Sequence, residues 1–585
     1  MPDNTSTIAN VSVDMTIEWD VEIPIADGLV LRADVFRPVG DELCPVILSH
    51  GPYAKGLSFQ EAYADQWNIM VRDHPDVPAG SSNAYQAWEV VDPEKWVPDG
   101  YACVRIDSRG AGRSPGVLDP LSPQETQDLY ECIEWAGTQP WSNGKVGLAG
   151  ISYYAINQWV VAALAPPHLA AICPWEGSAD WFRDMTRHGG ILSTFFPNWF
   201  DKQILELGVQ HGMGDRGPVN PNTGVPISGP ETMSDEELAA NRAPFAEDIA
   251  GHALESDYQR ERSPDWSQVT VPMLSAANWG GQGLHPRGNF EGYLRAASEQ
   301  KWLEVHGLEH WTHFYTDYGV GLQKRFFGHF LKGVDTGWDD QPPVLLQVRH
   351  VDGSFTQRSE QEWPIARTEW TRMHLDPADN ALNREPAAAE STAAYEALGE
   401  GVTFRTPPLE RDTELTGPVA ARLCVSSPTE DADLFLVLRV LAPDGEEVVF
   451  RGALDPHTPV AQGWLRVSQR KLNPELSTDY RPYHTHDETQ PLTPGEVYEV
   501  DVELWPTSVV VPAGYRIALS VRGCDYEYTG PDAGAQLASF KNVMKGCGPF
   551  LHDDPRDRPR ERFGGTQTLH AGGDRESYVL LPIIP

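Results

Sequence analysis

Nine residues, Val146-Gly-Leu-Ala-Gly-Ile-Ser-Tyr-Tyr154, carry the densest chemical signal in the chain. A short apolar run (146–149) meets Gly150, a serine follows at 152, and a helical pattern runs over 155–164. Strand, sharp turn and helix, with a serine at the apex, form the context in which G-x-S becomes a nucleophile elbow. Such a turn holds the hydroxyl at the carboxyl edge of a parallel sheet, and the free N–H groups of the new helix face whatever forms there. The bland alternative is a serine that merely caps a helix.

The elements around the serine fit that context. Residues 16–25 and 29–36 read as strands flanking Asp27-Gly28, and 45–49 and 101–107 are short apolar runs ending in glycine-containing loops. Residues 125–136 place Leu129, Cys132, Ile133 and Ala136 on one helical face. Strand signals return at 169–174, 270–276 and 301–306, with a helix over 287–297. Strands alternating with helices predict a mostly parallel sheet with right-handed crossovers. Between about 184 and 263, amphipathic segments such as 235–241 surround a Gly/Pro/Asn-rich loop (212–230), a composition that predicts a helical roof over the site. Beyond 340, runs at 419–425, 434–441, 497–504 and 516–521 are separated by turn signals, which predicts an all-β sandwich or jelly roll. The Ala/Glu-rich stretch 378–401 reads as a loop or excursion.

Composition bounds the function. The 585 residues exceed one core, and 40% apolar content with 19 each of Trp, Tyr and Phe supports several globular cores. A formal charge of −39 argues against nucleic acid and anionic membrane surfaces. Seven scattered cysteines without C-x-x-C spacing suit reduced thiols. The opening Met1-Pro-Asp-Asn-Thr-Ser-Thr-Ile has neither a basic nor an apolar leader region, and no run of 18 apolar residues exists, so a cytoplasmic location is expected. No motif sets the oligomeric state, and a homo-oligomer is compatible with the chain.

Together these segments resemble the cocaine esterase and X-Pro dipeptidyl-peptidase family of α/β-hydrolases. The likeness rests on Pro52-Tyr53, Asp107-Ser-Arg-Gly-Ala-Gly-Arg-Ser-Pro-Gly116, Trp141 to Tyr153, Gly463-Trp-Leu-Arg466 and Val511-Pro-Ala-Gly-Tyr-Arg516. It implies an α/β-hydrolase core (1–183 and 264–340), a helical lid (184–263) and a C-terminal jelly roll (341–585). Activity would be hydrolysis of a small-molecule ester or amide, without cofactor, through an acyl-enzyme on Ser152. The resemblance implies an oxyanion hole from the Tyr153 backbone N–H and the Tyr53 phenol, and a catalytic imidazole at His310, with His306 as rival. His310 and His313 form at most a thin metal pair, since no H-E-x-x-H or carboxylate cluster accompanies them; no metal is expected.

The match breaks at the orienting acid. In Pro272-Met-Leu-Ser-Ala-Ala-Asn-Trp-Gly-Gly-Gln-Gly-Leu-His285, Gly281 stands where the family has Asp. Glu176 is the first substitute, Asp180 the second, and Glu309 adjoins His310. Trp175, Trp181, Phe182, Phe195, Phe196, Trp199 and Phe200 cluster in and before the lid, favouring a bulky apolar or aromatic acyl group over a dipeptide. Dipeptidyl-peptidase, acyltransferase and a non-catalytic binding protein on the same scaffold are the alternatives.

Overall fold

The computed structural model describes residues 8–11 and 15–585; the leader reading of the first eight residues therefore falls almost wholly outside the described part. The first sheet has eleven strands in the order Ile8–Val11, Thr16–Pro24, Val30–Arg37, Ala102–Asp107, Cys44–Gly51, Ser142–Ile151, Leu169–Trp175, Met273–Asn278, Lys301–His306, Val344–Arg349 and Phe355–Glu360. Pairing is parallel from Ala102–Asp107 through Val344–Arg349, with antiparallel strands at both edges. Helices cover both faces of the parallel part, so strands such as Pro45-Val-Ile-Leu48 are buried throughout.

Local sequence explains the supports. Ser122 accepts from the Glu125 N–H, and Pro123 occupies the first helical turn, so the helix Pro123–Gly137 starts sharply. Its predicted stripe of Leu129, Cys132, Ile133 and Ala136 is buried against the sheet.

The sheet continues past residue 340, where the sequence had already changed character. Val344–Arg349 pairs in parallel with Lys301–His306, and Phe355–Glu360 closes the edge antiparallel. The second sheet begins at Glu369 and has twelve strands in a jelly-roll-like β-rich domain. The long strand Thr413–Ser426 pairs with Val497–Val511 on one side and Tyr578–Ile584 on the other, around a Val/Leu-rich core. The stretch 378–401 is not a simple loop: Ala381–Asn383 and Ser391–Glu396 are strands. Ser391–Glu396 pairs at the sheet edge with Thr566–Ala571, whose partnership its small, mostly exposed side chains gave no hint of.

Between the strands Leu169–Trp175 and Met273–Asn278 the chain forms a roof of short helices and one two-stranded hairpin. All seven cysteines are unpaired. Among the described residues no helix is long and apolar enough to cross a membrane.

Candidate active site

Ser152 follows directly on the strand Ser142–Ile151 with φ 55° and ψ −113°, in the left-handed region that non-glycine residues rarely occupy. Hydrogen bonds hold the turn from both sides. The Ile151 N–H donates to the Glu89 carbonyl at 3.0 Å and the Ser152 N–H to the Trp175 carbonyl at 3.1 Å. Ala155 and Ile156 both donate to the Ser152 carbonyl at 2.8 Å, so the helix Tyr153–Ala162 begins at once. Glycine is required at 150, since a Cβ there would lie 2.3 Å from Tyr154 Cβ. The fuller G-x-S-x-G pattern would put a second glycine at 154; here it is tyrosine. Gly51 on the neighbouring strand makes the room, because a Cβ on it would come within 2.8 Å of the Tyr154 ring.

The imidazole on Ser152 is His285, with Oγ and Nε2 3.0 Å apart. The expected pairing with His310 is not the one formed. His285 sits in the loop after Met273–Asn278, immediately before the helix Pro286–Arg295. Leu284 and His285 donate their N–H groups to the Gly281 carbonyl at 3.1 and 3.3 Å. Gly281, where the resemblance implies an aspartate, is thus part of a turn that delivers a histidine. His285 is fully enclosed and its Nδ1 finds no hydrogen-bond partner among the described residues. Burial, reinforced by the neighbouring His310, pushes its pKa down to about 3.

His310 stacks on His285 at a centroid distance of 5.0 Å and 14° between planes. Its Nδ1 lies 3.3 Å from Glu176 Oε2 and its Nε2 2.7 Å from Glu89 Oε1. Burial opposes its charge, but those two carboxylates outweigh it and raise its pKa to about 9. Glu176, at φ 50° after the strand Leu169–Trp175, also accepts from His306 Nε2 at 3.0 Å and from Asn278 Nδ2 at 3.1 Å. Burial would raise its pKa; the His306 and His310 bonds prevail and hold it near 2. Glu89, with only His310 on Oε1 and a buried Oε2 left unpartnered, is pushed up to about 7 by burial.

The rival histidine, His306, lies one layer deeper, locked between Glu176 and Glu304. Asp180 is committed elsewhere: it caps the turn Trp181–Thr186 and pairs with Arg183 at 2.8 Å. Glu309 faces Arg451 and Thr312. His313 donates to neither carboxylate of the site and packs edge-on against His306. One donor atom each from Glu176, His285 and His310 lies within 4.8 Å of the other two, the single such metal-compatible group among the described residues.

Tyr53, in the loop after Cys44–Gly51, accepts from Trp199 Nε1 at 3.1 Å. Burial keeps its hydroxyl protonated, so its own O–H remains a donor. The Tyr153 phenol turns away to donate to Glu125 Oε2 at 2.6 Å. Its backbone N–H stays in the first turn of the helix, where an intrahelical acceptor is lacking.

Ser152, His285, His310, Glu89 and Tyr53 line a narrow cavity. Its apolar wall includes Phe195, Phe196 and Trp199 from the roof, and Leu454 and Phe540 from the chain of the second sheet. Trp175, Trp181, Phe182 and Phe200 are not part of that wall and pack in the core or roof. The two sheets meet at the site: Ala453 donates to the Gly280 carbonyl at 3.1 Å, and the His310 N–H donates to the Ala453 carbonyl at 3.0 Å.

A serine on a strained strand-to-helix turn, bonded to an imidazole at the carboxyl edge of a parallel sheet, defines an α/β-hydrolase of the serine type. Residues 27–315 match the model of the X-Pro dipeptidyl-peptidase (S15 family), and 336–580 that of the X-Pro dipeptidyl-peptidase C-terminal non-catalytic domain. A crystal structure of a CocE/NonD family hydrolase from Staphylococcus aureus superposes with a TM-score of 0.82 at 31% identity, covering 97% of this chain and 94% of that one. Cocaine esterase of Rhodococcus sp. is 24% identical over 98% of this chain and all (100%) of its own length. A putative serine esterase of Mycobacterium bovis is 24% identical over 90% of this chain and 92% of its own. The chain belongs to the CocE/NonD family of serine hydrolases, whose members are esterases or X-Pro dipeptidyl-peptidases.

Two site residues escaped the sequence. His285 stands at the end of the segment in which the acid was sought, just before a helix-opening proline, and that placement was its only signal. Glu89 had none: it comes from an irregular loop at φ 62°.

Proposed function

We propose that the protein is an esterase or acylase that transfers a bulky apolar or aromatic acyl group to Ser152 and then to water. The Ser152–His285 contact at 3.0 Å, opening onto an aromatic-walled cavity, is the observation that carries this reading. His285 Nε2 takes the hydroxyl proton as Oγ attacks the carbonyl carbon, then gives it to the leaving oxygen or nitrogen. The Tyr53 phenol and the Tyr153 N–H stabilise the tetrahedral oxyanion. His310, held by Glu176 and Glu89, supports the back of the His285 ring. A buried but neutral His285 is ready to accept a proton at neutral pH without first losing one.

One observation favours a second reading, cleavage of an X-Pro dipeptide. The unpartnered Glu89 Oε2 would accept a hydrogen bond from an amino terminus entering the cavity. Parallel assays of aryl esters, alkyl esters and X-Pro anilides, with fluorophosphonate labelling of Ser152, test both. Ester turnover well above anilide turnover supports the esterase; the reverse order selects the peptidase; no label on Ser152 overturns both.

A further inference from the structure

The motif at 107–116 has no part in the chemistry described so far, yet it grips the loop that carries Tyr53. Asp107, at the end of the strand Ala102–Asp107, is wholly buried. Its Oδ1 accepts the Lys55 backbone N–H at 2.6 Å, and its Oδ2 accepts the Arg113 N–H at 2.9 Å. Gly112 closes over that carboxylate at φ 53°, and a Cβ on it would lie 2.3 Å from Asp107 Cγ. The Ser108 N–H donates to the Gly51 carbonyl at 3.0 Å, so the segment 51–55 is tied at both ends.

The Lys55 side chain turns back toward the same carboxylate. Its ammonium lies 3.3 Å from Asp107 Oδ2, 3.3 Å from Asp20 Oδ1 and 3.5 Å from Asp34 Oδ1, three acids from three neighbouring strands of the first sheet. Arg113 pairs with Asp20 at 2.9 Å. Burial opposes the ammonium, but Asp107, Asp34 and Asp20 outweigh it and raise its pKa. A buried ion cluster stabilises a fold inefficiently, because desolvation offsets much of the attraction. What this one fixes is geometry: between the pinned Lys55 and Tyr53 stands a single residue, Ala54, held at φ 60°.

We propose that Asp107 and Lys55 are positioning residues that aim the Tyr53 phenol at the oxyanion, an inference that rests on Tyr53 being an oxyanion donor. Displacing a group by about 1 Å in a pre-organised site can cost about 10²-fold in rate. Because the phenol meets the oxyanion and not the ground-state carbonyl, the loss falls on kcat and spares KM.

The test compares full-length variants on an activated ester. Asp34→Asn is the reference, since Asp34 touches the ammonium but no backbone of the Tyr53 loop. The pair Lys55→Met/Asp34→Asn removes one charge of each sign and so keeps the cluster balanced. The reference should keep kcat within about threefold of the parent, and the pair should lose about 10²-fold more with KM within about twofold. Gly112→Ala pushes on the Asp107 carboxylate without changing a charge, should also lower kcat at little-changed KM, and makes the same comparison if the pair does not fold. On top of Tyr53→Phe, the pair should cost less than about threefold more. Hydrogen exchange over 51–57 should be faster in the pair and in Gly112→Ala than in the reference, with melting curves showing which variants are folded. An unchanged kcat in the folded pair, or in Gly112→Ala where the pair does not fold, overturns the proposal. So does a full second loss of about 10²-fold on top of Tyr53→Phe. A Tyr53→Phe that itself leaves kcat unchanged overturns the oxyanion role instead, and the exchange over 51–57 still judges the clamp.

Discussion

The two sheets differ most at their edges. Along the carboxyl edge of the first, non-glycine residues adopt positive φ in five of the loops that reach the site: Ala54 beside Tyr53, Glu89, Ser152, Glu176 and Leu308 before His310; in the loop that brings His285 only Gly283 does. In the second sheet's domain such residues are Asn380, His486 and Asp532, types that tolerate the left-handed region better. Backbone strain of about 1–3 kcal/mol per residue persists only where the surroundings over-determine it. Much of it falls where side chains must be aimed, while the second domain, with its regular Val/Leu core, supplies a wall and a seam. A similar contrast recurs within the site on a smaller scale. His285 and His310 are nearly parallel and equally enclosed, yet burial with no carboxylate bonded to the ring drives one pKa down to about 3, while two bonded carboxylates overcome burial and raise the other to about 9. Partners, and not depth, decide the charge of an imidazole.

The sharpest way to break this contrast is to remove its parts in turn. Ser152→Ala should lower kcat by about 10⁴-fold or more and abolish phosphonate labelling. His285→Ala should cost about 10⁴-fold in kcat/KM, and His310→Ala distinctly less, since His310 acts through its neighbour; equal losses would erase the division of labour between the rings. Tyr53→Phe should reduce kcat by about 10²–10³-fold with KM little changed, measured on an activated ester. An unchanged kcat would remove the phenol from the oxyanion hole.

The pH profile separates the two histidines directly. A general base works only when neutral. Because burial depresses His285 to about 3, kcat/KM on an uncharged ester should stay level as pH falls through 6.5. Were His310 the proton acceptor, activity would instead climb with pH toward about 9. The smallest effect concerns the seam. A Cβ on Gly280 would lie 2.3 Å from Gly452 Cα, so Gly280→Ala should force the two domains' loops apart. A stability loss of about 1–3 kcal/mol, read as a lower Tm, is expected; an unchanged Tm would mean that the contact yields freely.

Much of the architecture was legible because it rests on local rules. The apolar runs at 45–49 and 301–306 fall within observed strands, that at 101–107 matches one from 102, the stripe on 125–136 is the buried face of its helix, and the glycine two residues before the serine is sterically obligatory. The strands within 378–401 were hidden because edge strands carry little apolar alternation. The extension of the first sheet to residue 360 was hidden because a strand's text does not say which sheet it joins.

The chain alone therefore determined the fold and the serine that stands at its strand-to-helix turn, since such a turn is written in consecutive residues. Which imidazole meets that hydroxyl was decided only in three dimensions. His285 and His310 arrive from different loops of the same sheet edge, and their order along the stack depends on a turn at Gly281, a carboxylate from an irregular loop at Glu89 and a backbone seam from the second domain at Ala453. Contacts between loops far apart in sequence leave no periodic trace in any of them.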